Sequence, residues 1–367
     1  MLIPLQNHRH SGIDVVEWLT VGKAQGVTDE MLHSMEDLET TDSVGDDGGS
    51  GEEVEVEEGE VNVVQGCEEE RSSRLRNLLN LPPSGQLEPL QVQKLEEFLM
   101  SSEQVFSTGE DDLGCTSLVH HKVDTGDSPP IKQAPRRIPF SRRKVVEELV
   151  ADMRKKGIIQ PSVSAWASPI VLVPKKDDTL RFCVDYRKVN AVTKKDVYPL
   201  PRIDDILDTL GKSRYFTTLD LASGFWQIEM DPATREKSAF TTHCGLFEFN
   251  RMPFGMCNVP ATFQRLMQQI LVGIEWKYCF VYLDDILVCS ETFHEHLEHL
   301  REVFDRLLKS GLTLKPKKCF FARIIVKYLG HVISRDGVSP DPDKTVKVRE
   351  FPVPTDVGRL RQFLGLA

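Results

Sequence analysis

The chain has 367 residues, 45 Lys+Arg against 56 Asp+Glu, and a formal net charge of −11, with 40% hydrophobic and 28% charged residues. That is ordinary globular usage over a length sufficient for roughly two domains, and no apolar run reaches the roughly 18–20 residues a membrane helix needs. The start, Met1-Leu2-Ile3-Pro4-Leu5-Gln6-Asn7-His8, has no basic segment followed by an apolar one, so it does not read as a signal peptide.

The mean charge hides two unlike parts. Residues 1–130 hold 7 basic and 28 acidic residues, a net of −21, while residues 131–367 hold 38 and 28, a net of +10. Only the second part has the sign that attracts a polyanion. Residues 41–70 contain twelve acidic residues and no basic one, so the chain is expected to be disordered there. Leu90, Val92, Leu95, Phe98 and Leu99 predict one amphipathic helix within 86–105, at the end of an acidic leader spanning 1–105.

From about 106 the pattern is continuously globular. Val145, Val146, Leu149, Val150 and Met153 form the apolar stripe of a helix from Ser141 to a stop at Gly157. Ser168 to Pro174 predicts a strand, Lys175 to Asp178 a polar turn, and Leu180 to Tyr186 the returning strand of a hairpin with a basic tip. Ser290 to Ser310 predicts an amphipathic helix burying Leu297, Leu300, Val303, Phe304 and Leu307, with His294, His296 and His299 on or near its solvated side. The eight cysteines, at 67, 115, 183, 244, 257, 279, 289 and 319, form no Cys-x-x-Cys pair and read as reduced residues, most of them in the core, of an intracellular protein.

Two places put carboxylates where an inert core would not. Tyr215-Phe-Thr-Thr-Leu-Asp220 is a β-prone run ending in an acid and followed by small residues. Cys279-Phe-Val-Tyr-Leu-Asp284-Asp285-Ile-Leu-Val-Cys289 has the pattern of a buried hairpin with two acids at its turn and no glycine to relax it, which predicts strain kept for function. Two carboxylates about 4 Å apart repel by roughly 4 kcal/mol at an effective dielectric near 20. Such a cluster persists when protons or cations neutralise it. Oxygen donors without nearby His or Cys suit Mg²⁺ or Mn²⁺ and not zinc. A third acid on a neighbouring strand, Asp220, would complete a site for two divalent ions, the arrangement used in phosphoryl transfer.

Tyr282-Leu283-Asp284-Asp285 resembles the Tyr-x-Asp-Asp box of reverse transcriptases. Leu219-Asp220-Leu-Ala-Ser-Gly-Phe-Trp-Gln227, Met252-Pro-Phe-Gly-Met-Cys-Asn-Val-Pro-Ala-Thr-Phe-Gln264 and Arg181-Phe-Cys-Val-Asp-Tyr-Arg-Lys-Val-Asn190 resemble further motifs of the Pol polyproteins of gypsy-type long-terminal-repeat retrotransposons. Lys315-Pro-Lys-Lys-Cys319 and Lys327-Tyr-Leu-Gly-His331 follow in the family order, so the likeness runs from about Asp112 to Ala367.

The resemblance implies an α+β right-hand polymerase with fingers and a ferredoxin-like palm over 106–335, and a truncated thumb over 336–367. It implies an RNA-directed DNA polymerase that extends a primer on RNA or DNA with deoxynucleoside triphosphates and two Mg²⁺ ions, Mn²⁺ substituting. Asp220, Asp284 and Asp285 would be catalytic, and these with the Leu221 carbonyl would hold the metals. Lys175, Lys176 and Arg181 would close over the triphosphate, Phe225 would exclude a ribose 2′-hydroxyl, and Phe254, Gly255 and Gln264 would line the same pocket beside Pro253. Lys318 would protonate pyrophosphate, and Tyr328, Leu329, Gly330 and His331 would grip the primer end. Ribonuclease H and integrase regions of the family would lie outside this chain. The rival readings are an inactive nucleic-acid-binding remnant and a module whose acidic tail covers a basic cleft. Asp124-Thr125-Gly126 matches the aspartic-protease triplet, but its polar, proline-rich surroundings argue against that use.

Overall fold

The computed structural model describes residues 70–109, 112–174 and 180–366, all within one unit from Glu58 to Ala367. The disordered acidic segment expected at 41–70 therefore lies outside the described residues apart from Glu70, as do Lys175 and Lys176. No helix among the described residues is long and apolar enough to cross a membrane.

Helices α1 (70–78) and α2 (Pro89–Ser101) come first, then β1 (Thr116–His121) and α3 (Phe140–Lys155). The strands β2 (Ile159–Pro161), β3 (Ser168–Pro174) and β4 (Leu180–Val184) follow, with two short helices, α4 (Arg187–Val192) and α5 (Ile203–Thr209). Next come β5 (Tyr215–Asp220), β6 (Ile228–Met230), β7 (Phe240–Thr242), β8 (Gly245–Phe249) and α6 (Val259–Ile270). The hairpin strands β9 (Cys279–Tyr282) and β10 (Asp285–Ser290), helix α7 (Phe293–Lys309) and β11 (Phe320–Arg323) complete the central part. A three-stranded meander, β12 (Ile325–Tyr328), β13 (His331–Ser334) and β14 (Gly337–Pro340), leads to α8 (Pro342–Arg349) and α9 (Val357–Leu366).

The central sheet has strand order β11-β5-β10-β9, and every pairing in it is antiparallel. In chain order its parts run β5-α6-β9-β10-α7-β11, the split β-α-β-β-α-β arrangement of a ferredoxin-like palm. Side chains alternate strictly between its two faces. Tyr215, Leu219, Val281, Ile286 and Val288 join the core with Phe263, Leu266, Leu300 and Val303 of α6 and α7. Phe216, Phe280, Leu287 and Cys289 face the other way, against Ile206 of α5, Leu210 just after it, and Val326, Tyr328 and Ile333 of the meander. Burial on both faces explains why β9 and β10 read as nearly unbroken apolar runs, while β5 carries Thr217 and Thr218 between its apolar residues.

The fingers carry a five-stranded sheet, order β2-β8-β7-β3-β4, in which the expected hairpin pairs Ile170 with Val184 through Pro174 with Leu180. The helix expected to start at Ser141 runs Phe140–Lys155, and Gly157 after it has φ +67°.

Two expectations change. The acidic leader does not extend to 105: Leu75, Leu87, Leu95, Phe98, Leu99 and Phe106 are buried in the main core, with Phe98 stacked on Phe304 at 5.6 Å. Net composition hid this, because the acids of this stretch lie on the outside of apolar-striped helices. The histidines of α7 are not all on its solvated side. His296 is fully buried, between Thr217 Oγ1 at 2.7 Å and Ser290 Oγ at 2.9 Å. Two hydroxyls satisfy its ring, which is what makes burial of a polar group affordable.

Candidate active site

Strand β5 is fixed in register by its neighbour: Tyr215 pairs with Ser290, and the ladder ends with Asp220 opposite Asp285. Two acids 65 positions apart in sequence thus become cross-strand partners at one end of the sheet. The β9–β10 hairpin closes with Tyr282 opposite Asp285, so its two turn residues are Leu283 and Asp284. The sequence suggested Asp284 and Asp285 at the turn; Asp285 is instead the first residue of β10.

The strain expected of a glycine-free turn falls on Leu283, whose φ is +54°. A leucine is rarely left-handed, so the surroundings must hold it there. Gln264 does so. It is fully buried on α6, its Oε1 accepts the Leu283 N–H at 3.1 Å, and its Nε2 donates to the Val281 carbonyl at 3.4 Å. The resemblance implied that Gln264 lines the nucleotide pocket; it is instead fully buried beneath the hairpin. Its signal was present: one amide on a helix face otherwise made of Phe263, Leu266, Met267 and Ile270.

The charges are crowded. Burial, then Asp285 and then Asp220, push the Asp284 carboxyl up to about 7. Its Oδ1 is buried without a hydrogen-bond partner. Surrounding protein and then Asp220 also raise Asp285, although its side chain is exposed. Asp220 is turned instead to Lys318, whose Nζ donates to Oδ1 at 3.2 Å and Oδ2 at 2.9 Å. Among the described residues no three acidic, His or Cys side chains already stand as a metal-ligand group. With Lys318 neutralising Asp220, like charges have no reason to converge.

The donor set nonetheless fits a hard divalent cation. A buried, unpartnered carboxylate oxygen beside two further acids is an uncompensated site in need of positive charge. The bridge between Leu221 and Leu314 is closed by Lys315 N–H to Asp220 C=O and Ala222 N–H to Thr313 C=O. The carbonyl of Leu221 is thus turned away from that neighbour, toward the β10 side of the strand. Gln227, fully buried, ties this stretch down through Ala222 C=O at 2.8 Å and the Thr313 backbone at 2.9 and 2.8 Å. Sequence reading assigned it no role.

Phe225, shortly after Asp220 in sequence, packs with two rings from farther along the chain. Phe225 is half-buried, 5.0 Å from the Phe254 ring and 5.4 Å from Phe263. Phe254 is exposed. Gly255 has φ +94°, and its carbonyl accepts from Asn190 Nδ2 at 2.8 Å, which joins this loop to the fingers. Arg181 is exposed on β4, paired with Val173, and residues 175–179 lie outside the described residues.

The Tyr328-Leu329-Gly330-His331 stretch is a tight hairpin: Tyr328 pairs with His331, and Leu329 and Gly330 are left-handed at φ 49° and 80°. Tyr328 is buried and its hydroxyl donates to the Asp285 carbonyl at 3.3 Å, so this hairpin abuts the acidic one. Asp124 stands apart: it caps Gly126 N–H at 2.9 Å and pairs with Lys194 at 3.1 Å.

Residues 173–333 match the family described as reverse transcriptase (RNA-dependent DNA polymerase). The chain is 42% identical over 259 residues to the retrovirus-related Pol polyprotein from transposon 297 of Drosophila melanogaster, covering 69% of this chain and 24% of that one. It is 35% identical over 280 residues to that from transposon gypsy of the same species, covering 75% of this chain and 27% of the relative. The Transposon Tf2-3 polyprotein of Schizosaccharomyces pombe is 35% identical over 236 residues, 64% of this chain and 18% of its own length. The chain therefore spans about a quarter or less of these relatives. Among solved structures, the foamy viral protease-reverse transcriptase in complex with RNA/DNA hybrid superposes with a TM-score of 0.70 at 27% identity, over 81% of this chain and 39% of that one. The same protein in complex with dsDNA gives 0.71 at 27% identity, over 83% and 61%. Residues 173–333 are a reverse transcriptase domain, and the chain is a relative of the Pol polyproteins of long-terminal-repeat retrotransposons.

Proposed function

We propose that the chain is an RNA-directed DNA polymerase that adds deoxynucleotides to a primer paired with an RNA or DNA template. The observation that carries this reading is the pairing of Asp220 with Asp285 at the end of the palm sheet, beside a buried and unpartnered Asp284 oxygen. The basic charge of residues 131–367 suits a nucleic-acid partner, and the foamy viral relatives are seen with RNA/DNA hybrid and dsDNA.

Asp220, Asp284 and the Leu221 carbonyl, supported by Asp285, would hold two divalent cations, with Mg²⁺ the ion the hard oxygen donors suit. When bound, such ions neutralise phosphate charge and make a primer 3′-hydroxyl easier to deprotonate. The protein's own part is positional. Gln264 and Gln227 hold the acidic backbone rigid. Lys318, released from Asp220, would give a proton to departing pyrophosphate. Phe225, braced by Phe254 and Phe263, sets the room beside the sugar. Arg181, with Lys175 and Lys176, would supply positive charge to the triphosphate from the fingers.

Primer extension by the purified chain tests the reading. Extension with Mg²⁺ or Mn²⁺ that is abolished by Asp284→Asn is the expected result. A chain that binds primer-template yet adds no nucleotide would be the inactive remnant.

A further inference from the structure

Asn80 lies outside residues 173–333 and far in sequence from every acid of the site, yet it reaches the loop that carries Lys318. Its side-chain Nδ2 lies 2.8 Å from the Lys317 carbonyl, 3.1 Å from that of Cys319 and 3.4 Å from that of Pro316. One amide thus donates into a ring of three carbonyls from a single turn of chain, Pro316–Lys318 and the residue after it. Asn80 is itself anchored by its backbone: it bridges Phe320, and its carbonyl accepts from Phe321 N–H at 3.5 Å and Arg323 Nη2 at 3.2 Å.

The other end of the same loop is held by the same upstream segment. Leu314 N–H donates to Val105 C=O at 2.7 Å, and Ser107 N–H to Leu314 C=O at 2.8 Å. Between these two fixed ends Lys315 N–H donates to the Asp220 carbonyl at 2.8 Å, and Lys318 Nζ reaches the Asp220 carboxylate. Phe106 packs edge-on against both Phe304 and Phe321, so the clamp stands on buried core and not on a loose terminus.

We propose that Asn80 is a positioning residue for nucleotide addition: it sets the backbone of the Lys315–Cys319 loop and so fixes where the Lys318 ammonium stands relative to Asp220. The inference rests on the polymerase reading. Through this contact, the segment upstream of the palm controls the position of the Lys318 ammonium, a cation that would serve both the acid and the leaving group. Asn80 touches no substrate and acts only through the loop.

The test uses the full chain and four proteins: wild type, Asn80→Asp, Lys318→Met and the double variant. Asn80→Asp keeps the shape but turns a donor into a carboxylate facing three carbonyls, so the loop should open. Amide exchange at Lys318 and Cys319 should then rise, with β5 and β10 unchanged. The rate constant for single-nucleotide addition should fall about tenfold, with primer-template affinity unaltered. In the Lys318→Met background the same substitution should add little, because residues acting as one unit are non-additive. A full tenfold loss in that background, or faster loop exchange without loss of rate, would overturn the proposal. If wild type itself adds no nucleotide, the polymerase reading fails instead, and the exchange data still decide whether Asn80 sets the turn.

Discussion

Gln264 Oε1 accepts the backbone N–H of Leu283, a left-handed leucine next to Asp284, whose carboxyl is pushed up by burial and two neighbouring acids. A fully buried N–H left without an acceptor costs about 1–3 kcal/mol, an upper bound for the half-buried Leu283 N–H. Gln264→Leu removes that acceptor while filling similar space. Urea unfolding should show a loss of that order, and nucleotide addition should slow by up to about a hundredfold, because the turn sets the position of Asp284. Loss of stability without loss of rate would separate the hydrogen bond from catalysis.

Asp284→Asn should behave in the opposite way toward stability. In chelator the wild-type carboxylate is crowded by Asp285 and Asp220 with one oxygen unpartnered, so its neutral amide analogue should melt higher. Added Mg²⁺ or Mn²⁺ should raise the melting temperature of wild type, because a ligand of the folded state stabilises it, and should raise that of the variant much less. Primer-template affinity should change little. Equal metal-induced shifts in the two proteins would mean that Asp284 is not a ligand.

Phe225 is held against Phe254 and Phe263, and the glycine before it leaves no slack: a Cβ on Gly224 would lie 3.2 Å from the Phe263 ring. A side chain braced on two sides cannot swing aside for an extra hydroxyl. Phe225→Ala should therefore lower the preference for deoxy- over ribonucleotides by at least about tenfold, read as a ratio of kcat/KM values. Unchanged discrimination would assign the ring to the core alone.

What the sequence disclosed follows from burial. β9 and β10 were legible because strands covered on both faces carry nearly uninterrupted apolar runs, β5 because its residues are β-prone, and Asp220, Asp284 and Asp285 stood out at their ends. The turn was misplaced by one residue because its geometry depends on Gln264, a partner on another element. Gln227 and Asn80 were invisible for the same reason: an amide announces nothing until the carbonyls it serves are brought to it from residues 313 and 316–319. His296 is different, since it falls in line with Leu300, Val303 and Leu307 on the buried stripe of α7, and the helical period alone could have placed it inside.

That burial has a consequence in acid. Desolvation, reinforced by His299, lowers His296 from 6.5 to about 3, and desolvation lowers His121, against Thr262, from 6.5 to about 4. Both are therefore neutral when folded and protonated when unfolded over the range between those values. At these two rings the unfolded chain binds more protons, so their contribution to stability rises with pH through that window and is lost as pH falls below about 6.5, while Asp284, raised to about 7, works in the opposite sense. His299, stacked at 3.6 Å on Tyr278, and Ser290 face the same ring, while Glu302 lies one turn beyond through its bond to Tyr278. Urea midpoints measured from about pH 7.5 to about pH 5 should decline for wild type. In His296→Gln, which keeps a polar group of related reach but cannot titrate, the decline should be shallower by close to one proton in its slope. An identical slope would show that the ring admits water and a proton before the molecule unfolds.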